Sequence, residues 1–188
     1  DLNAENQPYH TNDKSVVMMC NGEIYNYQEL KKTLISKGYK FKTKTDVEVI
    51  LHGYIEWGDI LWSKLNGIFS IVLLDRRINK IFLIRDHLGV KPLHYFVKGE
   101  KIYFGSDYNS FLSIHGHKHS LNNSALVSYL SFRNVIGKQT FYKGIFDILP
   151  GTKITYDGNH VKENQFWDIP TEIDQDQGID YYLNEIDR

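Results

Sequence analysis

The sequence predicts an α+β domain in which antiparallel strands are covered on both faces, by helices on one side and by a second sheet on the other. Three features carry this reading. Four short apolar runs succeed one another with tight turns between the outer pairs, the arrangement of an antiparallel sheet. Those runs are nearly unbroken rather than alternating, so neither face is left to solvent. Two helical segments with start and stop residues precede them.

In order along the chain, Ser15-Val-Val-Met-Met-Cys20 is a continuous apolar run that suits a buried strand, and it is expected to end at Asn21-Gly22. Asn26 opens a helix, with Glu29 three positions on as a capping-box partner and Gly38 as the stop. Thr45 and Glu48 repeat that grammar for a second helix. Val47, Ile50, Leu51 and Tyr54 share one of its faces, and Gly58 ends it. Asp59 to Leu65 adds one or two turns. The four strands are then Gly67 to Leu74, Lys80 to Arg85, Leu93 to Val97 and Lys101 to Phe104. Asn109 to Ile114 and Ser124 to Phe132 read as helices, and Ile145 to Tyr156 as strand and turn around Pro150-Gly151. From Thr171 the composition turns acidic, with six acidic residues and one basic one. Ile179, Tyr182, Leu183 and Ile186 fit a helical face there. The chain thus divides into a domain over 1–170 and, over 171–188, an acidic linker leading into a following domain.

Composition narrows the function. Of the 188 residues, 41% are hydrophobic and 14% aromatic, enough for a packed core and against a disordered chain. Lys and Arg total 22 against 23 Asp and Glu, so no electrostatic case exists for a nucleic-acid partner or an anionic membrane. No apolar run reaches membrane-spanning length. The single cysteine, Cys20, excludes an intrachain disulfide and fits a reducing compartment, so a cytoplasmic location is expected.

Four motifs in order carry a family resemblance. Asn21-Gly-Glu-Ile-Tyr-Asn-Tyr27 resembles the glutamine-binding motif of class II glutamine amidotransferases. Thr45-Asp-Val-Glu-Val49 resembles their second glutamine-contact motif, Gly67-Ile-Phe-Ser70 their central strand, and Arg85-Asp-His-Leu-Gly-Val-Lys-Pro-Leu93 their strand-turn-strand block. Within that class the chain is most similar to the amidotransferase half of asparagine synthetases, a likeness extending through Leu130-Ser-Phe-Arg133, Phe141-Tyr-Lys-Gly-Ile145 and Leu149-Pro-Gly151.

The resemblance implies an N-terminal-nucleophile hydrolase fold, a four-layer sandwich of two stacked antiparallel sheets flanked by helices. It also implies a mechanism: an N-terminal cysteine, with its own α-amine as base, attacks the glutamine side-chain amide. A thioester forms, ammonia leaves for a second active site, and water releases glutamate. In this chain residue 1 is Asp and no residue matches the family's carboxylate-binding arginine. The nucleophile segment is therefore expected upstream and the synthetase domain downstream, and the 188 residues alone are expected to be inactive. The partners implied are L-glutamine and the C-terminal synthetase domain, with a homodimer left open. No cofactor is implied for this domain; ATP and Mg are implied for the synthetase domain. The alternative is a degenerate, non-catalytic domain that binds glutamine or braces a partner.

By resemblance, the Asn21 side-chain amide and the Gly22 backbone N–H form the oxyanion hole, the Glu23 backbone holds glutamine, and the Asp46 carboxylate pairs with its α-ammonium. Each has a plainer reading beside it. Asn21-Gly22 alone is a strand-ending turn, Glu23 a solvated charge, and Asp46 a first-turn helix acid favoured by the macrodipole. Arg85 and Asp86 read as an ion pair bracing a turn. Cys20 lies beside the oxyanion motif but lacks both a free α-amine and a spaced base, and reads as a buried strand residue. His115, His117 and His119 alternate as metal ligands can, but their Gly- and Lys-containing stretch reads as a solvated loop.

Overall fold

A computed structural model describes residues 7–112, 114, 120–171 and 178–186. The histidine stretch at His115, His117 and His119 lies outside the described residues. The strands are β1 (Tyr9–His10), β2 (Val16–Ile24), β3 (Gly67–Asp75), β4 (Lys80–Arg85), β5 (His94–Lys98), β6 (Lys101–Gly105), β7 (Phe146–Asp147), β8 (Thr152–Tyr156) and β9 (Val161–Gln165). The helices are α1 (Tyr27–Ser36), α2 (Glu48–Trp57), α3 (Leu61–Lys64), α4 (Asn109–Leu112), α5 (Asn123–Phe132) and α6 (Ile179–Ile186). A 3₁₀ turn over Gly58–Ile60 joins α2 to α3.

The strands form two antiparallel sheets. One has six strands in the order β1-β2-β3-β4-β8-β9 and the other three in the order β6-β5-β7. The four central runs of the sequence therefore do not make one sheet. β3 pairs with β4 and β5 with β6, but the chain changes sheets between Arg85 and His94. Continuous apolar strands follow from this stacking, because β3 and β4 touch core on both sides. One face meets the helices through Phe69, Ile71, Leu73 and Phe82, packed with Leu30 and Leu34 of α1, Ile50 and Tyr54 of α2, and Trp62 of α3. The other face supplies Leu83 and, from β8, Ile154, which pack with Leu93, Tyr95 and Ile148 between the sheets. Each fully buried Leu, Ile or Phe in these layers contributes about 1.5–3 kcal/mol. The outer face of the smaller sheet carries Phe96 against Phe111 of α4 and Ile145. The expected four layers are present. The fourth is thin, since α4 has four residues.

Several local expectations change. β2 does not stop at Asn21-Gly22 but runs to Ile24, paired with β3 along its whole length. Gly22 and Gly67 sit where β2 and β3 approach too closely for side chains: a Cβ on Gly22 would strike the Ile68 carbonyl, and one on Gly67 the Glu23 carbonyl. Neither capping box forms. The Asn26 side chain donates to Lys64 O (2.9 Å) and accepts from Asn66 N (3.0 Å), tying α1 to the end of α3. Glu48 reaches back to the loop before α2, where Lys42 N and Thr43 N each donate to it at 2.8 Å. β1 and β9 were not legible beforehand, because β1 has two residues and every residue of β9 is exposed.

Arg85 and Asp86 brace the turn as expected, but not by pairing with each other. Arg85 donates from Nε to Lys91 O (3.0 Å) and from Nη2 to Gly89 O (2.8 Å). Its Nη1 crosses to the smaller sheet, donating to Asp147 Oδ2 (2.9 Å) and to Ile148 O. Asp86 is 1% exposed and accepts from the backbone N–H groups of Phe69, Leu88, Val90 and Lys91. A carboxylate meeting four donors is what lets a sharp sheet-to-sheet crossing be buried. Replacing it orphans those donors. Asp86→Ala should cost about 3 kcal/mol of stability in denaturant unfolding, with Asp86→Asn intermediate. A loss below about 1 kcal/mol would show that water or a rearranged turn satisfies those groups instead.

Candidate functional site

The candidate residues lie along the outer edge of β2. In an antiparallel strand, backbone N–H and C=O groups point alternately to the two neighbours. The Tyr25 N–H donates to Asn66 O on the side that leads into β3, so the even-numbered residues face away from β3. Among the described residues, β1 covers that edge only at Val17 and Met18. Beyond it two side chains act in place of a strand. The Gln7 amide donates to Cys20 O and accepts from Cys20 N, both at 2.7 Å. Asp46 Oδ2 accepts from Ile24 N at 2.7 Å. By the same alternation Gly22 N–H faces this edge, between the two occupied positions.

Asn21, Gly22 and Glu23 are consecutive on β2, and Asp46 is joined to the same strand through Ile24. Asn21 points to the face opposite the Cys20 side chain. It lines a cleft of about 330 Å³ with Gln7, Met19, Ser70, Phe104 and Gly105, at the mouth of the space between the sheets. Glu23 and Asp46 line a separate cleft of about 510 Å³ with Tyr25, Tyr27 and Lys44. The quartet is therefore one stretch of backbone flanked by two clefts. A larger cavity, about 630 Å³, opens elsewhere, among Tyr9, Tyr39, Glu48 and His52, and contains none of the four.

Asp46 is not in the first turn of a helix, and Thr45 is not its cap. α2 begins at Glu48, and the capping position is Val47. Its loop is held from behind by Glu48, 5% exposed, which also accepts from Thr43 Oγ1 at 2.7 Å. Burial pushes the Glu48 carboxyl up, but the hydrogen bonds from Lys42 and Thr43 outweigh it and hold the group below its ordinary value. One Asp46 oxygen is engaged by Ile24. The contribution of Gln7 was not visible in the sequence, because a single glutamine in an irregular segment has no periodicity and no motif.

Cys20 is 5% exposed among the apolar side chains of the helix-facing core. Burial, and secondarily the Asp46 carboxylate, push its thiol up to about 12 against an opposing pull from Lys91. Among the described residues no cluster of His, Cys, Asp and Glu is arranged to hold a metal ion, and no helix is long and apolar enough to cross a membrane.

Two stacked antiparallel sheets between helices make the sandwich of the N-terminal-nucleophile hydrolase fold. The solved structures similar to it share that fold. Glutamine phosphoribosylpyrophosphate amidotransferase from Bacillus subtilis superposes with a TM-score of 0.58 at 18% identity, covering 88% of this chain and 32% of that one. A glutamine aminotransferase class-II domain protein from Silicibacter pomeroyi gives 0.50 at 13% identity, over 85% of this chain and 71% of that one. In sequence, residues 1–167 match the glutamine amidotransferase domain family. Asparagine synthetase [glutamine-hydrolyzing] 3 of B. subtilis is 31% identical over 98% of this chain and 30% of its own length. Asparagine synthetase [glutamine-hydrolyzing] 2 of the same organism is 44% identical over 60% of this chain and 15% of its own length. The chain belongs to the glutamine amidotransferase domain family, in the branch found in asparagine synthetases. It spans about a third or less of the length of these curated relatives.

The raised thiol yields a prediction. A group of pKa about 12 is ionised in only roughly one molecule in 10⁴ at pH 8, and the thiolate is the reactive form. Iodoacetamide at pH 8 should leave native Cys20 unmodified over hours and label it within minutes in denaturant. Equal rates in both states would contradict the buried position.

Proposed function

We propose that this domain hydrolyses glutamine and supplies the ammonia to an ATP-dependent asparagine synthetase or a related amidotransferase. One observation carries the reading: Gly22 N–H faces a strand edge that is open among the described residues, the positions on either side are held by Gln7 and Asp46, and the Asn21 side chain opens into the adjoining cleft. A donor pair fixed in this way needs no reorganisation when charge develops on a substrate oxygen.

In this reading the thiol comes from an N-terminal cysteine that is not among these 188 residues, and without it the chain releases no ammonia. As the thiolate adds to the side-chain carbonyl carbon of glutamine, the C=O π pair moves to oxygen, which becomes an oxyanion. The Asn21 side-chain N–H and the Gly22 N–H donate to it. The amide nitrogen takes a proton and leaves as ammonia, and water repeats the addition on the thioester to release glutamate. The Glu23 backbone and the Asp46 carboxylate orient the amino-acid end of the substrate, with Asp46 pairing to its α-ammonium through the oxygen that Ile24 leaves over. ATP and Mg belong to the synthetase domain, and the activity is placed in the cytoplasm.

Two outcomes follow in the full-length protein. Asn21→Ala should lower glutaminase kcat by about 10²–10³-fold with little change in glutamine KM, because that donor meets full charge only in the transition state. Ammonia-driven synthesis should persist, which separates the effect from misfolding. Unchanged kcat would remove Asn21 from the chemistry. Asp46→Asn should instead weaken glutamine binding by about 1.5–3 kcal/mol, and an unmoved KM would reduce Asp46 to a brace on Ile24. Gly22→Ala is not a usable test, since the added Cβ strikes Ile68 and disturbs the fold first.

A further inference from the structure

The Gln7 side chain occupies a position that backbone would fill in a longer strand. β1 pairs with β2 at Tyr9–Met18 and His10–Val17 and goes no further. The next outward-facing pair of backbone groups on β2 belongs to Cys20, the residue directly before Asn21. A primary amide has the donor and the acceptor of one peptide unit. Gln7 uses Nε2 on Cys20 O and Oε1 on Cys20 N, each at 2.7 Å, so both groups are satisfied by one planar side chain. The strand is thereby clamped at Cys20 by Gln7 and at Ile24 by Asp46. Asn21 and Gly22 lie inside that interval. Gln7 also lines the cleft into which Asn21 opens, so it stands at the site and not behind it.

We infer that Gln7 is a positioning residue for glutamine hydrolysis: its amide fixes the β2 edge at Cys20 so that the Asn21 and Gly22 donors are aimed at the oxyanion. This rests on the glutaminase reading above. The amide is needed as an amide. A side chain that only filled the space would leave Cys20 N–H and C=O unpaired at the edge of a sheet, and the strand would be free to shift. A displacement of a fraction of an ångström at an oxyanion donor affects the transition state more than the ground state.

The test is made in the full-length protein with three substitutions measured side by side: Gln7→Ala, Gln7→Glu and Asn21→Ala. Gln7→Ala should lower glutaminase kcat by about 10- to 100-fold, with glutamine KM changing by less than about threefold and ammonia-driven synthesis unchanged. The Gln7→Glu variant adds a pH signature. As a carboxylate it accepts from Cys20 N but cannot donate to Cys20 O; as a carboxylic acid it regains the donor. Its kcat relative to wild type should therefore rise as the pH falls from 8 towards 5.5, while the ratio for Gln7→Ala stays flat. A space-filling role would move neither ratio. Gln7 loses the proposed role if Gln7→Ala depresses glutamine-driven and ammonia-driven synthesis equally, or if the Gln7→Glu ratio does not depend on pH. If Asn21→Ala is impaired while Gln7→Ala is not, the positioning role falls and the glutaminase reading stands. If Asn21→Ala is itself silent, the glutaminase reading falls and takes this inference with it.

Discussion

The two-sheet architecture depends on the crossing at Arg85 and Asp86. A chain that leaves one buried sheet and enters another must turn within the protein, where unpaired backbone N–H and C=O groups are costly. The two adjacent side chains divide that work by charge. The carboxylate of Asp86 collects backbone donors, and the guanidinium of Arg85 collects carbonyls and the Asp147 carboxylate on the far sheet. Neither neutralises the other directly. The result ties the larger sheet to the smaller one at Asp147 and Ile148.

The site is built by the same device on a smaller scale. An edge strand ordinarily exposes a ladder of unsatisfied backbone groups. Here β2 has its edge closed selectively, by a short strand at Val17 and Met18, by an amide at Cys20 and by a carboxylate at Ile24. Among the described residues, what remains open is the segment bearing Asn21 and Gly22. Rigidity comes from β3, which pairs with β2 without interruption from Val16 to Ile24. Among the described residues the strand is held on one side along its length, and on the other at points flanking a gap, which fixes its geometry and leaves Gly22 N–H uncovered.

Much of this was legible in the residues, for physical reasons that differ by element. The helices α1 and α2 and the strands β3 and β4 announce themselves through the burial of Leu30, Leu34, Ile50, Phe69, Ile71 and Phe82, since apolar periodicity is a direct record of burial. The partition into two sheets was not legible, because it depends on the non-local bonds of Arg85. Asn21-Gly22 misled in one respect. That dipeptide signals a turn where the chain is free to bend, and here the full pairing with β3 keeps it extended. The two capping boxes failed alike: Asn26 and Glu48 found distant or upstream backbone partners and left the helix starts uncapped. Asp46 was singled out through its motif neighbours, and its bond to Ile24 was not visible in them. Gln7 could not be singled out, because its partners are two main-chain groups, which carry no identity in sequence.

The close approach of β2 and β3 at Gly22 and Gly67 bears on how this domain can be altered. One residue is both a donor at the strand edge and the point where two backbones nearly touch, so a change there alters the chemistry and the architecture together. Variation must enter from the flanks. In the wall beside Asp46 the Tyr25 and Lys44 side chains are exposed, whereas Tyr27 packs against the helix-facing core. A library meant to reshape that cleft would vary Tyr25 and Lys44 and leave the glycine pair invariant, because those two side chains can change without meeting the β3 backbone.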